Sequence, residues 1–156
     1  MIASPILHFE FFYRAGEFRR AYETLPNSGR PPEWAKYLLF YHAMELALKA
    51  YLIQRGVSEE DLKDEFRHDI NKLVDEAVKR GLTLPPGSQE MIADVGGQPP
   101  DSGTVPAHLK IRYPSGGPIY SLEQFEPYME HLFTAVANTF GLVESKGNDR
   151  NRNSHA

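Results

Sequence analysis

The pattern of apolar and polar positions predicts a chain built from helices, with one helix at its centre. The stretch from Trp34 to Arg55, WAKYLLFYHAMELALKAYLIQR, contains neither Gly nor Pro and is apolar nearly all the way round. Leu, Ala, Met and Lys, which favour helices, are frequent in it. Because a helix that is apolar on every side belongs in a protein interior, we expect this segment to be the central helix.

Three polar side chains, His42, Glu45 and Lys49, interrupt this apolar surface and lie on one helix face. They also exclude a membrane span, because no apolar run comes close to the ~20 residues that a bilayer requires. Two interpretations stay open. Glu45 and Lys49 could form a surface pair worth a few tenths of a kcal/mol, or the three residues could form a polar seam in the core that meets a charge from elsewhere.

Start and stop signals predict a helix before the central one and a short acidic helix after it. Ser4-Pro5 favours a helix start, so a first helix is expected over residues 6–25. Gly56 is a suitable residue to end the central helix. The segment SEEDLKDEF, residues 58–66, then begins with a Ser cap and predicts a short acidic helix.

Three later helices are predicted from capping residues and apolar stripes. Asp69 is expected to cap a helix over residues 70–80, and Ser88 to begin a short one that ends near residue 95. A last helix over residues 122–142 follows a capping box. The apolar positions of the helix over residues 70–80 are Ile70, Leu73, Val74 and Ala77. Those of the last helix are Phe125, Tyr128, Met129, Leu132, Phe133, Val136, Ala137 and Phe140.

A region without helical signals precedes the last helix. Residues 96–106 are rich in Gly, Pro, Asp and Ser and predict a loop, whereas residues 107–114, AHLKIRYP, predict an extended strip. The expected fold class is all-α: an up-and-down bundle of four to five helices, with short extra helices and one irregular extended strip. We expect residues 1–143 to form one domain and the polar residues 144–156 to form a disordered tail.

The composition of the chain limits the kinds of site that it can carry and indicates where in the cell it works. A length of 156 residues suits one domain, and the absence of Cys excludes disulfides, thiolate metal sites and a cysteine nucleophile. The net charge of −4 argues against broad binding along a nucleic-acid backbone. The N-terminus lacks the basic and small-residue features of a secretory signal, so we expect a cytoplasmic protein that does not bind membranes.

The order of several short motifs resembles that of the HEPN superfamily. The motifs are AMELALKAYLIQRG, a short acidic helix, RHDINKLVDEAVKRGL, KIRYP with a following Tyr, and an amphipathic last helix. More narrowly, the chain resembles the stand-alone bacterial HEPN proteins, which have an E-x-x-x-K central helix, an H-D-[LI]-x-x-L segment and an R-Y-P strip. The resemblance covers the chain from Trp34 to Leu142.

The resemblance implies a homodimeric bundle that binds a nucleotide or RNA. HEPN proteins include metal-independent ribonucleases, nucleotide-binding proteins and partners of a small nucleotidyltransferase. The ribonuclease branch carries an R-x4-6-H motif in its last helix, where this chain has no Arg and only His131; Arg150 and His155 fit the spacing but lie in the polar tail. We therefore expect a binding and interaction module with a nucleotidyltransferase or antitoxin partner and no cofactor. The alternative is a metal-independent ribonuclease toxin with an atypical site.

The resemblance also indicates six candidate ligand-binding residues: Glu45, Lys49, His68, Asp69, Arg112 and Tyr113. The extended strip is expected to bring the arginine to the Glu45 carboxylate, where two parallel hydrogen bonds can form. His68 precedes a helix start, which attracts anions. These groups form either a cleft for a phosphate or a base, or a structural lock in which the same side chains cap, pair and pack with one another.

A metal site is the least supported chemistry. The pair His68-Asp69 is similar to the His-Asp motif of metal-dependent phosphohydrolases, which need further His and Asp ligands. The remaining histidines considered, His8, His42, His108 and His131, are scattered and lack a carboxylate at ligand spacing. We therefore expect no metal ligand among the candidate residues.

Overall fold

The computed structural model describes residues 6–26, 34–95 and 122–142, and about 80 % of them are helical. In chain order the helices are α1 (Leu7–Thr24), α2 (Trp34–Gln54), α3 (Glu59–Asp61), α4 (Ile70–Lys79), α5 (Ser88–Val95) and α6 (Glu126–Thr139). A π-helical turn (Leu62–Phe66) continues α3, and a 3₁₀ turn (Leu122–Phe125) leads into α6. These three ranges contain no strand, and the expected all-α helical bundle is confirmed.

The predicted central position of α2 is confirmed by its burial. Buried side chains occur on every side of this helix between Tyr37 and Ile53, as its all-round apolar pattern requires. The predicted stripe of α4 also packs inward, and all four of its members are fully buried: Ile70, Leu73, Val74 and Ala77. Together with the buried face of α6, these helices form one continuous apolar core.

Contacts between rings show that α1 runs antiparallel to α2. The Phe18 ring lies 4.5 Å from the His42 ring, and the Tyr22 ring lies 5.1 Å from the Phe40 ring. The residue number therefore rises along α1 while it falls along α2, as in a helical hairpin. α6 packs on α1 as well, where the Tyr22 hydroxyl donates a hydrogen bond of 2.7 Å to Glu126.

Helices α2 and α4 run parallel to each other, and this arrangement creates the candidate site. The Tyr41 hydroxyl donates to the carbonyl of His68, which comes just before α4. The Tyr51 hydroxyl donates, at 3.0 Å, to the carbonyl of Arg80, which comes just after α4. Because both helices run the same way, the chain between them must return along the bundle. The returning segment is α3 with the π-helical turn, and it ends beside the middle of α2.

The capping residues predicted between α2 and α4 are confirmed. Gly56 has φ +94°, and the Val57 N–H donates to the carbonyl of Leu52 at 2.9 Å, which is the bonding pattern of a Schellman ending. The Ser58 hydroxyl accepts from the N–H of Asp61 at 3.1 Å and begins α3. These signals locally fix the end of α2 and the start of the returning segment, before any tertiary contact is considered.

Several predicted features lie outside the described residues. They are the Ser4-Pro5 helix start, the loop over 96–106, the extended strip over 107–114, the Ser121 part of the capping box and the tail over 144–156. Of the helices in the described ranges, none is both long enough and apolar enough to cross a bilayer.

Candidate functional site

The polar face of α2 lies inside the protein and not on its surface. Glu45 is only 1 % exposed, so the surface-pair interpretation is wrong and the buried polar seam is the observed arrangement. Its Oε1 accepts hydrogen bonds from Lys49 Nζ at 2.7 Å and from His68 Nδ1 at 2.8 Å. His42 Nδ1 lies 3.5 Å from Oε2, close enough for an ion-pair contact. Among the described residues, the group that meets the seam from another part of the chain is thus His68.

The carboxyl group of Glu45 is ionised at neutral pH. Burial by itself would raise the pKa of Glu45, because it disfavours the charged form. The contacts with His42, Lys49 and His68 outweigh burial and hold this pKa at about 2. The buried negative charge is therefore compensated by donors from two separate parts of the chain.

The hydrogen bond to Glu45 fixes the tautomer of His68. An ionised carboxylate can only accept hydrogen bonds, so Nδ1 of His68 must carry the proton that it shares with Oε1. In the neutral ring, Nε2 is then the basic nitrogen. The His68 side chain is 40 % exposed, which means that it joins the buried carboxylate to the protein surface. A carboxylate that orients a histidine in this way is a common arrangement for acid–base chemistry and for ligand binding.

Two costly backbone features hold His68 in place. The π-helical turn closes with a hydrogen bond of 2.8 Å from the Arg67 N–H to the Leu62 carbonyl. Arg67 then adopts φ +50° and ψ −115°, and the Asp69 N–H donates to the Phe66 carbonyl at 3.0 Å. These angles belong to the first central position of a type II′ turn, which normally takes Gly.

A non-glycine residue in this conformation is strained by ~1–3 kcal/mol. Such strain persists only where the surrounding structure imposes it, and π-helical turns also occur frequently at functional sites. Both features come directly before His68, and the Tyr41 hydroxyl holds the His68 carbonyl from the α2 side. The backbone is thus arranged to bring one imidazole onto one buried carboxylate.

A surface cavity of about 340 Å³ opens beside His68. Its lining residues are Asp64, Glu65, Phe66, Arg67, His68, Asp69 and Lys72. The charge of this lining is mixed, with three carboxylates against a guanidinium, an ammonium and the imidazole. One of the carboxylates is already engaged, since Asp69 Oδ1 accepts from the N–H of Lys72 at 3.2 Å and caps α4 as predicted.

The structure brings together four of the six residues that the resemblance indicates. Glu45, Lys49 and His68 are in direct contact, and Asp69 lies next to them at the start of α4. Arg112 and Tyr113 lie outside the described residues, so their approach to Glu45 stays a prediction.

Sequence reasoning left three residues of this region out of the site. His42 could have been included, because it shares the helix face of Glu45. Lys72 lines the cavity and could have been included as well, because it lies three residues, about one helical turn, after Asp69. Arg67 had none, because only a glycine would mark a position with positive φ in a sequence.

Among the described residues, one atom of the seam lacks a hydrogen bond. Oε2 of Glu45 is fully buried and accepts none from them; His42 Nδ1 lies 3.5 Å away. A buried carboxylate oxygen normally has a donor. The predicted pairing of Arg112 with the Glu45 carboxylate would supply such a donor.

Other candidate chemistries find little support. Within the three described ranges, no three His, Cys, Asp or Glu side chains are grouped so that they could hold a metal ion. The histidine of α6, His131, lies away from this cavity, with Nδ1 at 3.1 Å from the hydroxyl of buried Ser88. Comparisons of the chain with protein-family models, with curated proteins and with solved structures found no significant match.

Proposed function

We propose that this protein is a HEPN-like module that binds a nucleotide or an RNA end in the cavity beside His68. The observation that carries the proposal is the contact of 2.8 Å between the buried Glu45 carboxylate and a half-exposed imidazole. This contact fixes which nitrogen of the imidazole can meet a ligand. The strained turn before His68 supports the same site, since strain of this kind concentrates at ligand clamps.

The mixed charge of the cavity favours a nucleotide over a bare anion. A phosphate group would be bound by Arg67, Lys72 and His68, which lie on one lining segment. Ring or amino N–H groups of a base would donate to Asp64 or Glu65. Inorganic phosphate lacks the base N–H groups that would donate to these carboxylates, and its charge is repelled by them. A long RNA duplex is disfavoured by the net charge of −4.

The partners implied by the resemblance belong to the same proposal. A homodimer and a nucleotidyltransferase or antitoxin encoded nearby would make the protein an interaction module of a bacterial toxin–antitoxin type. The module would act in the cytoplasm and would need no metal and no cofactor for ligand binding. The candidate ligand-binding residues are Glu45, Lys49, His68, Asp69, Arg112 and Tyr113.

Fluorescence polarisation with a labelled, 5′-phosphorylated dinucleotide tests the ligand proposal. The variant His68→Gln keeps a polar side chain but loses the imidazole. We expect it to weaken binding about tenfold or more, the equivalent of one charge-assisted hydrogen bond of ~1.5–3 kcal/mol. The control is His8→Gln, the same replacement on α1, which should leave affinity unchanged. Equal affinity of both variants, or no binding by the wild type, would contradict the proposal.

A metal-independent ribonuclease is the second candidate, and the fixed tautomer of His68 favours it specifically. With Nδ1 bonded to Glu45, Nε2 could take the proton of an RNA 2′-hydroxyl as that oxygen attacks the adjacent phosphorus. The 5′-oxygen would leave with a proton from a second donor, and Arg112 would stabilise the charge on the phosphorus oxygens. Induced expression separates the candidates: growth arrest with RNA decay, lost in His68→Gln, indicates the enzyme, and normal growth indicates the binding module.

A further inference from the structure

The outward side of α1 carries a stripe of apolar side chains that stay exposed among the described residues, although the Phe9 ring also touches Phe140 of α6 with its centroid at 5.8 Å. Ile6 is 55 % exposed, Phe9 is 41 % exposed and Tyr13 is 63 % exposed. Their spacing of three and four residues places them on one side of the helix, and Gly16 and Arg20 continue the same line. We call these five residues the α1 outer face. A shallow cavity of about 340 Å³ lies along its first half.

Gly16 is the feature that distinguishes this face from an ordinary exposed surface. It lies in the middle of α1, where Gly is less favourable than Ala. A Cβ built on Gly16 would meet no atom of the described residues within 4 Å, so packing against them does not require a glycine here. Small residues in the middle of a helix face allow another helix to approach closely. The glycine is explained if a second chain crosses α1 at this point.

The charges beside the stripe identify the partner as a second copy of the same chain. Glu10 lies in the first turn region of α1 and Arg20 in its last turns, and both side chains are exposed. When two copies of α1 lie antiparallel around a two-fold axis at the level of Ala15, residue 10 of each copy faces residue 20 of the other. This places opposite charges together twice, as an isologous interface requires. The ring of Tyr13 would then lie over Gly16 of the second copy.

We propose that the α1 outer face pairs antiparallel with the same face of a second copy, with the crossing near Gly16. This pairing names the surface through which the homodimer of the proposed function would form. It rests on the proposed function only for the expectation that the protein dimerises. A helix of 18 residues is about 27 Å long, so the contact is smaller than a standard interface. We therefore expect a reversible dimer with a dissociation constant of roughly 10–100 µM.

Sedimentation equilibrium of the full chain, at concentrations from about tenfold below to tenfold above this dissociation constant, tests the surface. Tyr13→Arg should abolish the concentration-dependent increase in mass, because it places a charge against the second copy. Leu38→Arg is the matched control, since Leu38 is 40 % exposed on α2, and it should leave the dimer intact. Gly16→Ala should raise the melting temperature of the dilute monomer and weaken association. A wild type that stays monomeric throughout overturns the proposal.

Charge reversal tests the antiparallel arrangement. Glu10→Arg and Arg20→Glu should each weaken the dimer at least tenfold, and the double variant should restore it, because the reversed charges again face each other. Weakening by both single variants without restoration overturns the two-fold pairing. If Tyr13→Arg lowers the melting temperature of the monomer without any change in mass, the face is covered by this chain itself, which also overturns it. Dinucleotide binding measured on the same variants reports on the His68 cavity independently.

Discussion

Nδ1 of His68 lies 2.8 Å from Oε1 of Glu45, although the two residues are 23 positions apart and come from different elements. The imidazole is partly exposed and the carboxylate is buried. The pair thus connects the core of the bundle to a surface cavity. The stability of the fold and the chemistry of the cavity depend on the same contact, and each can be measured separately.

Removing the charge of Glu45 should destabilise the protein strongly. Glu45→Gln keeps the shape of the side chain but leaves the Lys49 ammonium, which is 12 % exposed, without its counter-ion. We expect a loss of about 3 kcal/mol in the free energy of unfolding, at the lower end for a broken buried pair, because Lys49 keeps some contact with water. Urea unfolding measures it. The control Glu65→Gln, at an exposed site, should change stability by less than ~0.5 kcal/mol. Similar values for both variants would show that the seam is not stabilising.

The stability that Glu45 contributes should disappear in acid. Its pKa in the folded protein is about 2, below the usual 4.5, so the unfolded chain binds a proton to this group more readily. The contribution is therefore complete above pH 4.5 and is lost as the pH falls toward 2. The shift corresponds to roughly 3 kcal/mol.

The difference in unfolding free energy between wild type and Glu45→Gln should thus shrink steadily over this pH range. Other carboxylates titrate in both proteins and cancel in the difference. A difference that stays constant down to pH 2 would show that the Glu45 pKa is not lowered by folding.

At position 67, glycine should give a more stable protein than alanine. Its φ of +50° is unfavourable for any side chain, and Gly relieves the strain at the cost of some extra freedom in the unfolded state. We expect Arg67→Gly to be about 1 kcal/mol more stable than Arg67→Ala, which loses the guanidinium but keeps the strain. Thermal unfolding compares the two. Both variants should bind the dinucleotide more weakly than the wild type. An alanine variant that is as stable as the glycine variant would show that the turn is not strained.

Arg112 should reveal whether the seam is a lock or a ligand site. Oε2 of Glu45 accepts no hydrogen bond from the described residues, and Arg112 is predicted to pair with this carboxylate. If it pairs with Glu45, Arg112→Ala should lower stability by more than about 1 kcal/mol. Lys110→Ala removes a neighbouring cation of the same strip and serves as the control. Unchanged stability together with lost dinucleotide binding would instead indicate a ligand site.

The helices could be predicted because their signals are local. An all-round apolar pattern placed α2 in the core, and the Ser58 and Asp69 caps each act within three residues of the backbone that they satisfy. The burial of Glu45 could not be decided in this way. Spacing places it on one face with Lys49, but which face is covered depends on where the rest of the chain packs.

The contact between His68 and Glu45 depends on features that have no sequence signature. The chain must return between the parallel helices α2 and α4, widen into a π-helical turn and force Arg67 to a positive φ. Local caps at Gly56 and Ser58 begin the return, but neither the π-helical turn nor the positive φ of Arg67 is marked by the residue types present. The resemblance indicated both residues as site members, whereas the geometry that joins them became apparent only in the folded chain.

The most direct test of the central pair is the ¹⁵N NMR spectrum of the His68 ring, assigned by comparison with His68→Gln. At a pH where the ring is neutral, we expect a protonated, pyrrole-like Nδ1 and a pyridine-like Nε2, because the buried carboxylate accepts from Nδ1. The pattern should be lost in Glu45→Leu, which removes the acceptor. A wild-type ring with its proton on Nε2, or one that averages between both tautomers, would contradict the Glu45–His68 bond and the site built on it.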